Sequence, residues 1–387
     1  MISYGKQSVD KSDFEAIKKV LEGDWLTQGP FVDCFEDDLK SYFKSNSACV
    51  VSSGTAALHL SGIALGWGKN DIVITSPITF LATANSIVYS GATPDFVDID
   101  SNSYTIDLNK LEEKIKSYHL SNKRIKAIIG VDFAGHPCDW ESIRFLADKY
   151  NIKLINDNCH ALGAKYKGKK HYAIKYADIV TQSFHPVKHI TTGEGGCILT
   201  NDLLLDQRVR ELRSHGMVRN AKSGLTDGEA PWYYEMHNLG YNYRITDLQC
   251  ALGSNQIKKL DSFVNKRIEI AKIYDFEFKE LEHLKIPKNS DLINHSYHLY
   301  PLLVDFDKTK LSKIEFFKVM KHNGINLQVH YIPVHLQPFY KTKYGFNKGD
   351  FKIAEQFYEK EISIPIYPDL DEKDIYLISD LIKKNIN

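Results

Sequence analysis

Lys188 stands in the run TQSFHPVKHITTGEGGCILT, five residues after Ser183 and just ahead of a Thr/Gly-rich turn that leads into an apolar stretch. A lysine flanked by apolar residues and hydroxyls loses solvation, and a desolvated amine serves as a nucleophile and proton carrier near neutral pH. Most of the 49 basic residues are solvated surface charges, and Lys188 alone would pass for one. GEGG argues against surface filler, because glycines at that density mark close backbone approach. Asp157 closes the apolar run IKLIND and is followed by Asn158, Cys159 and His160. A carboxylate at a strand terminus beside a buried site needs a positive partner, and a protonated pyridine nitrogen is one such partner. A helix cap or turn would use the same residue. His160 suits a structural hydrogen bond as well as it suits catalysis.

Two further segments share this character. VVSSGTAALHLSGIAL reads as strand, tight turn and helix, with Ser53, Gly54, Thr55 and Ala56 at the turn. Small residues there leave backbone N–H groups free to face a phosphate at a helix N-terminus, where the macrodipole favours an anion. An ordinary strand-to-helix turn has the same composition. In ITSPITFLATANSIVYSG, Phe80 follows a strand-like run, where its ring would cover a flat ligand or fill the core. What unites these residues is position, since ligands of open α/β sheets bind beyond the carboxyl ends of the strands.

The elements that would carry them are legible up to about residue 200. SACVVSS (47–53), DIVITS (71–76), TPDFVDI (93–99), KAIIGVDF (126–133), IKLIND (152–157), DIVTQSF (178–184) and GGCILT (195–200) read as strands alternating with helical patterns. That alternation predicts a mostly parallel, seven-stranded sheet with helices on both faces, and the continuous apolar character of several strands, KAIIGV above all, fits coverage on both sides. Thr246 and Gln249 have capping-box spacing, and Leu248, Leu252, Leu260, Phe263, Ile270 and Tyr274 follow at helical intervals, which predicts one long helix. Beyond it, strands over 295–306 and 325–334 flank a helix in KIEFFKVMKHNG, giving a smaller α/β domain. The expected division is a large domain over 1–246 and the long helix with the small domain over 247–387.

With 49 acidic residues balancing 49 basic ones, no overall field draws the 387-residue chain to nucleic acid or to an anionic membrane. The N-terminus lacks the apolar core of a signal peptide, and no stretch approaches the roughly 18 apolar residues of a membrane span. The expectation is a cytoplasmic protein with neither nucleic-acid nor membrane partners. Cys34, Cys49, Cys138, Cys159, Cys197 and Cys250 form no CxxC pair, which suits free thiols and argues against a metal site.

The order SGTAAL, PITFLATAN, DNCHALGA, SFHPVKHITTGEGG, LGYNYRITDLQCALG resembles the DegT/DnrJ/EryC1/StrS sugar aminotransferases from about Lys6 to the last strands of the small domain. The resemblance implies an α/β protein of pyridoxal 5'-phosphate (PLP)-dependent transferase fold type I. It assigns Lys188 to the cofactor Schiff base and Asp157 to the pyridine nitrogen. Thr55 and Ser183 fall at phosphate-contacting positions shaped by Gly54 and Ala56, Phe80 at the ring-stacking position, and His160 near the cofactor's 3-hydroxyl. Asn242 matches an asparagine that reaches the phosphate from a neighbouring subunit, which implies a homodimer with shared active sites. Thr27, Gln28, Gly29, Arg244, His330 and Tyr331 match sugar-nucleotide contacts. SFHPVK, RSHGM, GYNYR and QVHY are similar to a subfamily that carries the amino group of L-glutamate to C4 of a UDP-linked 2-acetamido-2,6-dideoxy-hexos-4-ulose. The product there is UDP-4-amino-4,6-dideoxy-N-acetyl-β-L-altrosamine, a step of pseudaminic acid synthesis. Another nucleotide-linked 4-keto or 3-keto sugar is the alternative acceptor.

Two features depart from that pattern. His189 stands where proline is expected, and AKSGLTDGEAPWYYEM (221–236) is longer than expected. Rival chemistries have weaker support. A sugar dehydratase of the same family would carry histidine in place of Lys188, a desulfurase would need a mobile cysteine rather than Cys159, and a dinucleotide site would need GxGxxG after the first strand. A silent sugar-nucleotide sensor would have no use for the lysine and aspartate together.

Overall fold

A computed structural model describes residues 1–121, 123–219, 232–288, 290 and 292–386. Most of the long 221–236 segment, residues 221–231, lies outside them. Seven strands form the central sheet: β1 Ser47–Val51, β2 Ile72–Thr75, β3 Thr93–Phe96, β4 Ile125–Val131, β5 Lys153–Asp157, β6 Ile179–Ser183 and β7 Gly196–Thr200. Their order is β1-β7-β6-β5-β4-β2-β3. Only β7 runs antiparallel, to both β1 and β6. The mostly parallel α/β sheet expected from sequence is therefore present, within a few residues of each expected strand.

The reason for the continuous apolar runs is visible in the packing. Successive residues of a strand point to opposite faces. Val50, Ile74, Ile128, Leu154, Val180 and Leu199 enter one apolar core, whereas Cys49, Val73, Ile129, Ile155, Ile179 and Ile198 enter another on the opposite face. Neither face meets water, so neither strand face needs polar residues.

Helices Lys11–Leu21 and Pro30–Phe43 pack on Asp247–Ile257. That last helix begins at the expected capping box: Thr246 Oγ1 accepts from the Gln249 N–H at 3.3 Å, and Gln249 Oε1 accepts from the Thr246 N–H at 3.0 Å. The single long helix expected from periodicity is instead two, because the helical run breaks at Lys258 and Lys259 before Leu260–Phe278. The Lys259 ammonium sits 2.6 Å from Asp13 and 3.0 Å from Asp10 of the first helix, which ties the break to the large core. Leu260, Phe263 and Val264 still belong to that core; Ile270, Ala271, Tyr274 and Phe278 belong to a separate one. No described helix is long and apolar enough to cross a membrane.

The second core surrounds a three-stranded antiparallel sheet of β8 Leu284–Lys285, β9 Tyr300–Val304 and β10 Glu361–Ile364, in the order β8-β9-β10. Two strand expectations need correction here. Residues 295–299 form an irregular turn, because the Tyr297 and His298 carbonyls accept from the buried Arg267 guanidinium at 3.1 and 3.4 Å. Residues 325–334 make only isolated bridges, Ile325 to Ile2 and Gln328 to Ser363. Past Gln328 the backbone is taken by a side chain, the His330 N–H donating to the Glu361 carboxyl at 2.9 Å.

Where β4 ends, one buried carboxylate fixes the chain. Asp132 accepts from the Cys138 N–H and the Trp140 indole at 2.8 Å on Oδ1, and from Asn158 at 2.8 Å and Tyr172 at 2.7 Å on Oδ2. The adjoining turn, Phe133–Gly135, in turn receives the Ser296 and Leu299 N–H groups at 3.0 and 3.1 Å. Asp132→Ala strands four buried donors, so it should lower unfolding free energy by roughly 3 kcal/mol or more. Urea denaturation would measure this, and a loss within about 0.5 kcal/mol would contradict the anchoring role.

Candidate active site

The carboxyl ends of β1, β2, β4, β5 and β6 open on a cavity of about 740 Å³, closed from the other side by Tyr4, His298 and residues 328–331. At the end of β1, Ser53 caps the helix Gly54–Ala64: its Oγ accepts from the Ala56 N–H at 3.1 Å. The Gly54 and Thr55 N–H groups lie in the first turn, where amides have no intrahelical partner and face an anion favourably. Close packing forces the small residues. A Cβ on Gly54 would lie 2.7 Å from Ser183 Cβ, and one on Gly196 would lie 2.4 Å from the Ser53 carbonyl oxygen. The glycine-dense run thus brings β1, β6 and β7 together beneath the helix start.

Lys188 is held by a tied loop. Its N–H donates to the His185 carbonyl at 2.9 Å, Thr192 N–H returns to the Phe184 carbonyl at 3.0 Å, and Gly193 takes a left-handed φ of 81°. The Lys188 amine lies 3.4 Å from His298 Nε2. Burial lowers its pKa, and the nearby Cys159 and Asp157 oppose that shift without cancelling it. Asp157, buried at the end of β5, accepts from Thr83 Oγ1 at 2.7 Å and from the Cys159 N–H at 3.3 Å. Thr79 and Thr83 hydroxyls lie 2.7 Å apart, which extends the support to the segment carrying Phe80. Phe80 itself is 55% exposed at the cavity, its ring 6.0 Å from that of Tyr331.

A cluster of neutral imidazoles surrounds the amine. His160 Nδ1 faces the Ala134 N–H at 3.4 Å, so the ring proton resides on Nε2, 3.1 Å from the Tyr331 hydroxyl. Burial, then Lys188, His330 and His189, keep its pKa far below the ordinary histidine value. His298 is depressed in the same way, by burial first and Lys188 next. His189 points away from the cavity and donates through Nε2 to the Ser296 carbonyl at 3.0 Å; the side chain found in place of proline pins the turn that carries His298. Burial pushes the Cys159 thiol well above its usual pKa, with Asp157 adding to the shift, so it is a poor nucleophile. Among the described residues no group of three or more His, Cys, Asp or Glu side chains is arranged to hold a metal.

Of the residues singled out from sequence, Gly54, Thr55, Phe80, Asp157, His160, Ser183, Lys188, His330 and Tyr331 line this cavity. Ala56 lies buried just behind, inside the helix turn. Thr27, Gln28, Gly29, Asn242 and Arg244 do not line it within one chain. Thr27 bridges Thr246, and the Gly29 N–H donates to Asp247 at 2.8 Å; Asn242 bridges Ser214, to whose hydroxyl Arg244 donates at 3.2 Å. Sequence reasoning passed over Tyr4, Thr83, His298 and Gln328. Thr83 had a usable signal, since it lies three residues after Phe80 and so on one face of the helix Leu81–Tyr89. His298 and Gln328 lie in segments whose pattern reads as strand but whose backbone is irregular, and Tyr4 lies in an irregular N-terminal segment.

Known proteins resemble this chain over nearly its whole length. Residues 7–383 match the DegT/DnrJ/EryC1/StrS aminotransferase family. A UDP-4-amino-4,6-dideoxy-N-acetyl-beta-L-altrosamine transaminase of Campylobacter jejuni is 43% identical over 380 residues, covering 98% of this chain and 96% of the relative. The solved structure of Helicobacter pylori PseC, an aminotransferase of pseudaminic acid biosynthesis, superposes with a TM-score of 0.89 at 33% identity, covering 100% of this chain and 99% of that one. A putative sugar aminotransferase of Streptococcus pneumoniae, solved in its PMP form, gives 0.88 at 27% identity over 99% and 98%. The chain belongs to the DegT/DnrJ/EryC1/StrS aminotransferase family.

Proposed function

We propose that this chain is a pyridoxal-phosphate aminotransferase that carries the amino group of L-glutamate to C4 of a UDP-linked 2-acetamido-2,6-dideoxy-hexos-4-ulose. The product is UDP-4-amino-4,6-dideoxy-N-acetyl-β-L-altrosamine. The observation that carries this reading is one cavity holding a desolvated lysine, a supported carboxylate and a helix N-terminus. The acceptor sugar rests on the likeness to the Campylobacter and Helicobacter transaminases.

The residues fit the cofactor by the chemistry of the donor set. Bound pyridoxal phosphate supplies a carbonyl for amines and a protonated ring that accepts an electron pair. The Gly54 and Thr55 amides with the Thr55 and Ser183 hydroxyls would hold its phosphate. Asp157, fixed as an acceptor by Thr83 and the Cys159 N–H, would face the ring nitrogen. Phe80 would cover a ring face and His160 would lie toward the 3-hydroxyl. Lys188 would hold the cofactor, and its amine, when free, would take the proton from the α-carbon of L-glutamate and return it on the cofactor side. Burial lowers its pKa and so favours the neutral amine that both tasks need.

Asn242 and Arg244 would serve the cavity of a second copy, giving a homodimer. Exposed Trp25, Leu26, Met236 and Leu239 flank the 27–29 and 242–244 segments in sequence, an apolar surface suited to burial against a partner.

Three outcomes test the reading. Lys188→Ala should lose the visible absorbance of bound cofactor and reduce transamination by about 10³-fold or more; an active variant retaining that absorbance would refute the assignment. Asp157→Asn should bind cofactor yet turn over on the order of 10²-fold more slowly, and near-wild-type kcat would give the role to another acid. In cofactor-free protein, burial disfavours the Lys188 ammonium, so that amine should lose its proton at lower pH than surface lysines. Reductive ¹³C-methylation followed by NMR would show this; Lys188 titrating with the exposed lysines would contradict it.

A further inference from the structure

His330 reaches the cavity at the end of a hydrogen-bond chain that starts on a fully buried acid. Glu361 opens β10 with its side chain in the interior, and Ser363 follows two residues later on the same strand face. Ser363 Oγ lies 2.5 Å from Glu361 Oε1 and 2.8 Å from His330 Nδ1. The other carboxyl oxygen, Oε2, accepts from the His330 backbone N–H at 2.9 Å. A reciprocal backbone pair, Ser363 N–H to Gln328 at 2.7 Å and Gln328 N–H to Ser363 at 3.2 Å, holds the two segments in register. This leaves Nε2 as the His330 nitrogen open to the cavity.

A hydroxyl carries one proton, so the chain has two consistent arrangements. With Glu361 ionised, Ser363 donates to it, His330 donates to Ser363 through Nδ1, and Nε2 is an acceptor. With Glu361 protonated on Oε1, the acid donates to Ser363, Ser363 donates to Nδ1, and Nε2 carries a proton into the cavity. The arrangements differ by one proton. It enters at Nε2, the Nδ1 proton passes to Ser363 Oγ, and the Ser363 proton passes to Glu361.

We propose that Glu361 and Ser363 are positioning residues that set the His330 tautomer, and thereby whether Nε2 accepts from or donates to the polar groups of the acceptor sugar. The sugar in that statement rests on the proposed function; the relay does not. Burial raises the Glu361 pKa against the opposing pull of Ser363, the His330 N–H and Lys313, so the acid is able to hold a proton near neutrality. Burial, with Lys188, lowers His330 to about 3, so the ring passes the proton on and does not keep it. Lys313 is the other charged group acting at Glu361, Glu359 acts in turn on Lys313, and the Glu361 carboxylate helps to raise Tyr104 and Tyr331. Around His330 stand Lys188, Tyr4 with its ring at 5.2 Å, and Tyr331 at 4.9 Å. Burial raises both tyrosines, so neither titrates before Glu361.

Glu361→Gln locks one arrangement. The His330 N–H requires the amide oxygen, which turns the amide NH₂ to Ser363 and forces Ser363 to donate to Nδ1. Protein with its cofactor would be labelled with ¹⁵N-histidine, and His330→Gln would identify the His330 signals. Wild-type Nε2 should change from protonated to unprotonated as pH rises to alkaline values, and Glu361→Gln should stay protonated throughout. Lys313→Met, which removes a cation that favours the carboxylate, should move the wild-type midpoint to higher pH. Ser363→Ala should abolish the transition and Ser363→Thr should keep it, which guards against a folding defect in the glutamine variant. The same His330 tautomer in wild type and Glu361→Gln at alkaline pH, or a transition that survives Ser363→Ala, would overturn the relay. At alkaline pH the sugar KM should differ about tenfold between wild type and Glu361→Gln, one hydrogen bond's worth, with the L-glutamate KM unchanged. Equal sugar KM values would overturn the recognition role, whereas failure of wild-type protein to accept L-glutamate would refute the proposed function and leave the tautomer measurement intact.

Discussion

An amine kept from water, facing the same cavity as a carboxylate at a strand end, is the arrangement on which the rest of this structure depends. Ammonium prefers water, so a lysine gives up its proton only where the fold has already sealed and cross-braced the surrounding space. Here the bracing is polar and specific. Thr83 and the Cys159 N–H engage Asp157, and the His185 carbonyl fixes the Lys188 backbone. A ring of depressed histidines adds no positive charge that would stabilise or compete with the amine.

Two cores build that space, and neither does so alone. The large sheet supplies the strand ends and the helix start at Gly54, and the small sheet supplies the opposite wall through His298 and residues 328–331. The halves are joined by an apolar cluster in which Ile78, Phe96 and Phe133 meet Leu299, Val334 and Phe351, and by hydrogen bonds: Ser296 and Leu299 to the turn after β4, and the buried Arg267 guanidinium to the carbonyls of Tyr297, His298 and Ile366. The wall facing the cofactor region is therefore set by the same contacts that stabilise the junction. The Glu361 chain extends this logic, since an acid inside the small core governs a nitrogen at the cavity surface.

Sequence made the large sheet legible because several strands covered on both faces carry continuous apolar runs, Ile125–Val131 above all, and because all seven alternate with helical patterns. It also made half of the cavity legible, because Thr55, Phe80, Asp157, Ser183 and Lys188 each follow a strand, and a strand end is visible as the place where an apolar run stops. The other half was not. Residues 325–334 alternate like a strand, yet four consecutive ones, 328–331, line a cavity and the ladder ends at Gln328. Glu361–Ile364 is four residues long and begins with a buried glutamate, which no periodic pattern announces. The break at Lys258 and Lys259 keeps helical spacing on both sides, so periodicity reads through it. His298 and Tyr4 come to the site only through tertiary packing.

The central claim is that nitrogen from L-glutamate ends at C4 of a UDP-linked deoxysugar through the Lys188 cavity. The most direct measurement incubates the protein and pyridoxal phosphate with ¹⁵N-L-glutamate and a panel of UDP- and dTDP-linked 4-keto sugars, and reads the label in the products by mass spectrometry and NMR. Transfer through this cavity should leave ¹⁵N bound to C4 of the UDP-linked 2-acetamido-2,6-dideoxy sugar, with the altrosamine ring configuration. Label appearing only in dTDP-sugars, or in no sugar while 2-oxoglutarate accumulates, would contradict it.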